Sequence, residues 1–100
     1  MFAFDVKNGE NDVVVELKGR LDAVVAPTLH EAMSKIYDKK VNSVTFEASE
    51  LEFISSAGLR VIVMAKQKLG ADVNLYLKNA NDGIKSVMEL TGFADFVEMD

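Results

Sequence analysis

An α/β domain with a mostly parallel sheet is what this sequence predicts, and three observations carry the prediction. Four segments alternate apolar and polar residues at the period of a half-buried strand. Three other segments repeat apolar residues at helical spacing. The connections between them are short, so the order reads β-β-α-β-α-β-α within 100 residues. Right-handed crossovers through the first two helices make strands two, three and four parallel, while the first pair forms a hairpin. Alternation in all four strands implies one buried and one wet sheet face, so the three to four helices are expected on a single face. A chain of this length holds one hydrophobic core, and residues 1–100 are read as one domain.

The elements follow in order. Phe2, Phe4 and Val6 alternate with Ala3, Asp5 and Lys7 in a first strand, and Asn8-Gly9-Glu10-Asn11-Asp12 is a turn cluster. Val13, Val15 and Leu17 alternate with Val14, Glu16 and Lys18 in a second strand, which Gly19 is expected to end. Pro27 suits the first turn of a helix in which Leu29, Met33, Ile36 and Tyr37 share a face, closed by Asp38-Lys39-Lys40. Val44, Phe46 and Ala48 mark a third strand. A second helix runs from about Ala57 to Leu69 and stops at Gly70. Its first half, Leu59, Val61, Ile62, Val63, Met64 and Ala65, is apolar almost all round, so it is either deeply buried or shared with a partner. Val73, Leu75 and Leu77 give a fourth strand. Asn81-Asp82 can cap a third helix whose stripe is Ile84, Val87, Met88 and Thr91, with Gly92 beyond its end. Phe93, Phe96, Val97 and Met99 form a short terminal segment over the core.

Composition narrows the function. Hydrophobic residues make up 49%, enough for a core, and there is no cysteine for disulfides or thiolate metal sites. No apolar run approaches the roughly 20 residues of a membrane-spanning helix, and the N-terminus alternates where a signal peptide would be continuously apolar. A cytoplasmic protein is the expectation. A net charge of −5 argues against general binding to nucleic acid or to an anionic membrane and suits a partner with a basic face.

The most informative stretch is Leu51-Glu52-Phe53-Ile54-Ser55-Ser56-Ala57-Gly58-Leu59-Arg60. Two serines stand where an apolar strand gives way to an apolar helix. At a helix N-terminus the orphan N–H groups and the dipole favour negative charge, so a phosphoryl group there is locally tolerated. One serine as a simple N-cap is the plainer reading, and the two are compatible. Asp22, in Gly19-Arg20-Leu21-Asp22-Ala23, either turns the chain or serves a partner. The run Leu21-Ala23-Val24-Val25-Ala26 is either a docking surface or core.

Other chemistry is missing. His30 is the only histidine and falls on the polar side of its helix, where a solvated role is expected; a serine hydrolase would need it beside Ser55 or Ser56 in a different motif context. No glycine-rich phosphate loop is present, so no bound nucleotide is expected. Glu47, Glu50 and Glu52 without histidine read as a solvated loop, and Met33, Met64 and Met88 as core filling. No cofactor, metal or catalytic residue is expected.

The element order, Gly19-Arg20-Leu21-Asp22-Ala23 and Phe53-Ile54-Ser55-Ser56-Ala57-Gly58-Leu59 together resemble the anti-sigma factor antagonists, the stand-alone bacterial members of the STAS domain family (sulfate transporter and anti-sigma factor antagonist). The resemblance covers essentially the whole chain. It implies partner switching without enzymatic activity. The unphosphorylated antagonist binds an anti-sigma factor, itself a serine kinase, and frees a sigma factor for transcription; phosphorylation of one serine separates the pair, and a serine phosphatase resets the cycle. The family motif Asp-Ser-Ser-Gly-Leu or Asp-Ser-Ala-Gly-Leu, lined up on Gly58-Leu59, puts the phosphoacceptor at Ser56, with Ser55 as the alternative. Ser55 stands where the family usually has aspartate. Asp22, Ser55, Ser56, Ala57, Gly58, Leu59 and Arg60 are the implied partner-binding residues. The same phospho-switch in a process other than sigma control, and an unphosphorylated STAS subunit of a lipid-transporting ABC system, are the competing readings. Met64 on the second helix is a candidate for weak self-association, with a monomer the simpler expectation.

Overall fold

A computed structural model describes residues 2–37, 40–70 and 72–99. Its strands are β1 (Phe2–Asn8), β2 (Asp12–Leu21), β3 (Ser43–Ile54), β4 (Asn74–Lys78) and β5 (Glu98–Met99). Its helices are α1 (Ala26–Ser34), α2 (Ser56–Leu69) and α3 (Asp82–Leu90), and Phe93–Phe96 forms a 3-10 turn. The strands lie in one sheet in the order β1-β2-β3-β4-β5. β1 pairs with β2 antiparallel, while β2, β3, β4 and β5 are mutually parallel along the sheet.

Period-2 patterning explains the layers. Val13, Val15 and Leu17 of β2, Val44, Phe46 and Ala48 of β3, and Leu75 and Leu77 of β4 are buried, and their neighbours Val14, Glu16, Thr45, Glu47 and Tyr76 are only partly so. The buried set packs with Leu29 and Met33 of α1, Leu59, Ile62 and Ala65 of α2, and Ile84 and Met88 of α3 in one core. The helices therefore cover one face, as the alternation predicts. Burying each such Leu, Ile or Met contributes about 1.5–3 kcal/mol, so this core is the main tie between the sheet and the helices. Among the described residues no polar or charged side chain is buried.

Several elements differ from the sequence expectation. The sheet has five strands where four were expected, because Glu98–Met99 adds a two-residue edge strand beside Tyr76 and Leu77, too short to show any period. Gly19 does not end β2. It takes φ 85°, a conformation that favours glycine, and the pairing with β3 shifts register on either side of it. β3 likewise continues to Ile54, and beyond Ala48 its burial pattern loses clean alternation. Glu50 and Glu52 are exposed as expected, but on a strand and not a loop. α1 ends at Ser34, with Lys35–Tyr37 in a turn; Asp38 and Lys39, expected to close the helix, fall outside the described residues. Thr91 does not share the buried stripe of α3. It is exposed, and its hydroxyl donates to the Val87 carbonyl at 2.7 Å.

Candidate functional site

The C-terminal ends of β2 and β3 meet at one point. Leu21 and Ile54 are register partners, and the Ser55 N–H donates to the Leu21 carbonyl at 2.8 Å. The chain leaves these two parallel strands side by side, through Asp22 toward α1 and through Ser55 toward α2. The ends of parallel strands are where α/β folds present their working loops.

Each polar residue here has a defined task. Ser55 is the N-cap of α2: its backbone is extended, and its hydroxyl oxygen accepts from the Gly58 N–H at 3.1 Å. Ser56 is the first helical residue, exposed, and its hydroxyl has no hydrogen-bond partner among the described residues. The two adjacent serines thus divide the roles that the sequence left open. One caps, and the other offers a free hydroxyl beside the N–H groups of the first turn. That turn carries no acidic residue. Asp22 turns the chain: its carboxylate accepts from the N–H groups of Val24 at 3.0 Å and Val25 at 3.1 Å, and its carbonyl accepts from Ala26 at 3.0 Å. It therefore organises the entry to α1, whose own N-cap position, Val25, has no side-chain cap.

The implied partner residues separate by exposure. Ser56 and Arg60 are exposed; Asp22, Ser55 and Ala57 are half-buried. Leu59 is 2% exposed and belongs to the core, so it is not available as a direct partner contact. Gly58 is also buried, and its role is close packing. A Cβ at that position would stand 2.7 Å from Leu21 Cγ and 3.0 Å from Ile54 Cγ1. The glycine lets α2 begin directly above the ends of β2 and β3. It thereby fixes where Ser56 points.

Two of the quoted motifs meet in a pair that the sequence does not reveal. Phe53 remains 37% exposed, with the Arg20 guanidinium 4.4 Å from its ring centroid. Such a stacked cation contributes roughly 0.5–1 kcal/mol at an exposed site. No signal flagged the pair, because the register shift at Gly19 and Arg20 changes which residues face outward. Val24, within the apolar run left undecided between docking surface and core, is 83% exposed, whereas Leu21 and Ala26 of the same run are buried. An open groove of about 270 Å³ lies between α1 and α2, walled by Pro27, His30, Ala57, Arg60, Val61 and Met64. His30 is half-buried there, not solvated as expected, and its Nδ1 has no hydrogen-bond partner among the described residues. In α2 the apolar run resolves toward the core: Val61, Ile62, Val63 and Ala65 are buried, and only Met64 is half-exposed in the groove.

Known proteins match both the sequence and this architecture. The anti-sigma-B factor antagonist of Bacillus subtilis is 27% identical over 99 residues, spanning 95% of this chain and 87% of that protein. The crystal structure of an anti-sigma factor antagonist from Mycobacterium paratuberculosis superposes with a TM-score of 0.87 at 22% identity, covering 99% of this chain and 85% of that one. The anti-sigma factor antagonist SpoIIAA, solved in its unphosphorylated form, gives 0.85 at 20% identity over 98% and 88%. The phosphorylated form of the Bacillus cell fate determinant SpoIIAA gives 0.78 at 20% over 98% and 91%. At these identities the superpositions establish the fold, and the sequence itself matches the STAS domain model over residues 3–100. With that match covering all but two residues and the fold agreeing with it, the chain belongs to the STAS domain family.

Proposed function

We propose that this protein is an anti-sigma factor antagonist that works by phosphorylation-controlled partner switching, with Ser56 as the phosphoacceptor. The unphosphorylated form binds an anti-sigma factor that is a serine kinase, and so releases a sigma factor for transcription. The kinase transfers the γ-phosphoryl group of ATP to Ser56: the serine oxygen bonds to phosphorus, the bond to ADP breaks, and the hydroxyl proton passes to a base on the kinase. A serine phosphatase hydrolyses the ester and restores the binding form. The observation that carries this reading is the division of labour at the start of α2, where Ser55 caps the helix and Ser56 leaves its hydroxyl exposed. Antagonists of the same name among the sequence relatives support it.

The physics of the switch is local. A phosphoryl group adds about −1.5 to −2 charges and is favoured at a helix N-terminus, so the fold itself is not strained. The cost falls on the complex, where that charge must be desolvated against a partner surface shaped for a neutral hydroxyl. A loss of about 3 kcal/mol weakens binding more than a hundredfold.

Affinity capture from native cells tests the reading. Immobilised protein with Ser56 unmodified should retain a serine kinase identified by mass spectrometry, and protein carrying phosphoserine at position 56 should not. Retention of a transporter ATPase by both forms would overturn it in favour of a transport subunit.

A further inference from the structure

We propose that Arg60 is the intramolecular counter-ion of phosphorylated Ser56, so that the phosphoryl group is drawn onto the surface of α2 and the guanidinium is neutralised in the same event. The inference rests on Ser56 being the modified residue, and it concerns what the rest of the helix does once it is.

Three observations carry it. Ser56 and Arg60 are both exposed and stand four residues apart within α2, a 14-residue helix, so they are neighbours on one helix face. Side chains on a helix lean toward its N-terminus, so Arg60 covers the turn that begins at Ser56, and the anion-first order of the pair is the favourable one. The second observation is that Arg60 has no ion pair or hydrogen bond among the described residues; the ion pairs found there, Lys7–Glu16 and Lys18–Glu50, lie elsewhere on the sheet. A guanidinium with its donors uncommitted is suited to bidentate binding of a phosphate. The third is that the first turn of α2 contains no acidic residue to compete for it. Asp22, in the neighbouring turn, makes no ion pair with Arg60, and its Oδ1 accepts from the Val24 and Val25 N–H groups.

The consequence is a switch that changes two charges at once. Before modification the surface beside the α1–α2 groove presents a free cation and a neutral hydroxyl. Afterwards the cation is paired and a net negative charge stands in its place. A partner acid that had met Arg60 would lose its contact even without touching the phosphate.

The test uses the isolated full chain with phosphoserine encoded at position 56, so it depends on no kinase. The second ionisation of the phosphate is followed by 31P NMR, and the melting temperature by circular dichroism, in the parent chain, Arg60→Gln and Arg60→Lys. Pairing predicts a phosphate pKa about 0.2–0.4 unit lower in the parent than in Arg60→Gln, with Arg60→Lys between them. It also predicts that phosphorylation raises Tm by about 1–4 °C more in the parent than in Arg60→Gln. Both differences should shrink by more than half in 1 M salt, where the screening length is about 3 Å. Arg20, Asp22, His30 and Glu52, the charged and titratable groups on the neighbouring strand ends and α1, are the same in all three chains and cancel. Identical phosphate pKa values and Tm increments in parent and Arg60→Gln would overturn the proposal, and would mean that the helix terminus alone holds the phosphate. Failure of the phosphoacceptor reading is seen separately, as absence of phosphate from Ser56 in native cells.

Discussion

Replacing Gly58 by alanine sets two effects of opposite sign against each other. Gly58 adopts an ordinary helical backbone, so alanine is conformationally acceptable, and in a helix it is worth up to about 1 kcal/mol over glycine. Against this, the new methyl would stand 2.7 Å from Leu21 Cγ and 3.0 Å from both Leu21 Cδ2 and Ile54 Cγ1. Favourable carbon–carbon contact needs about 3.5–4.0 Å, so neighbours must move by roughly 0.5–1 Å. They have little room, because Leu21 is fully buried and Ile54 is 4% exposed, and the nearest atom is a branch point, not a flexible tip. Overpacking of this kind costs about 1–3 kcal/mol. The net expectation is a destabilisation of up to about 2 kcal/mol, or a fall in Tm of up to roughly 16 °C for a domain of this size. Urea denaturation followed by circular dichroism measures it. In a Leu21→Ala background two of the three close contacts disappear and only Ile54 Cγ1 at 3.0 Å remains, so Gly58→Ala should there cost less than in the parent, and the double-mutant cycle isolates the Leu21 contact. Gly58→Ala that is more stable than the parent, or a cycle with no coupling, would refute the argument that this glycine seats α2 on the strand ends.

The capping role of Ser55 predicts that Ser55→Ala lowers stability by about 1 kcal/mol while Ser55→Asp, which supplies the family's usual residue and still accepts from the Gly58 N–H, restores it; equal stability of all three chains would contradict the cap. Asp22→Ala removes the acceptor of two N–H groups at the entry to α1 and should cost about 1 kcal/mol, with faster amide exchange at Val24 and Val25; unchanged exchange there would show that the turn holds itself. Tyr37 is half-buried, its hydroxyl has no partner among the described residues, and desolvation raises its pKa above the ordinary 10.0. A phenol that ionises later in the folded state contributes stability that is intact below the unfolded pKa and is lost as pH rises through the folded one. Tyr37→Phe should therefore leave Tm unchanged or higher at neutral pH and lose less stability than the parent above about pH 10; parallel alkaline profiles for the two chains would contradict it.

The fold was legible where one physical signal acted alone. Alternation located β1, β2 and β4, and Gly70 and Gly92 stop α2 and α3 with φ 97° and 79°, as glycines at helix ends should. Asn81 caps α3 through its bond from the Ile84 N–H at 2.9 Å, also as read. What escaped was non-local. β5 exists because β4 offers an open edge to two residues, and the continuation of β3 to Ile54 depends on register shifts against β2 that Glu47-Ala48-Ser49-Glu50 does not encode alone. At the site, the sequence pointed to the two serines but left open which caps. Hydrogen bonding to Gly58 separates them. Leu59 shows the limit of reading a motif as a surface: within Ser56-Ala57-Gly58-Leu59-Arg60, helical periodicity turns Gly58 and Leu59 inward while Ser56 and Arg60 stay outside.

The measurement that bears most directly on the account is intact mass and phosphosite mapping of the protein expressed in its native cells, beside a Ser56→Ala variant. A form with a single phosphoryl group, located on Ser56 and absent from the variant, is expected. A protein that carries no phosphate at Ser56 in growing, stationary and stressed cells alike would contradict it.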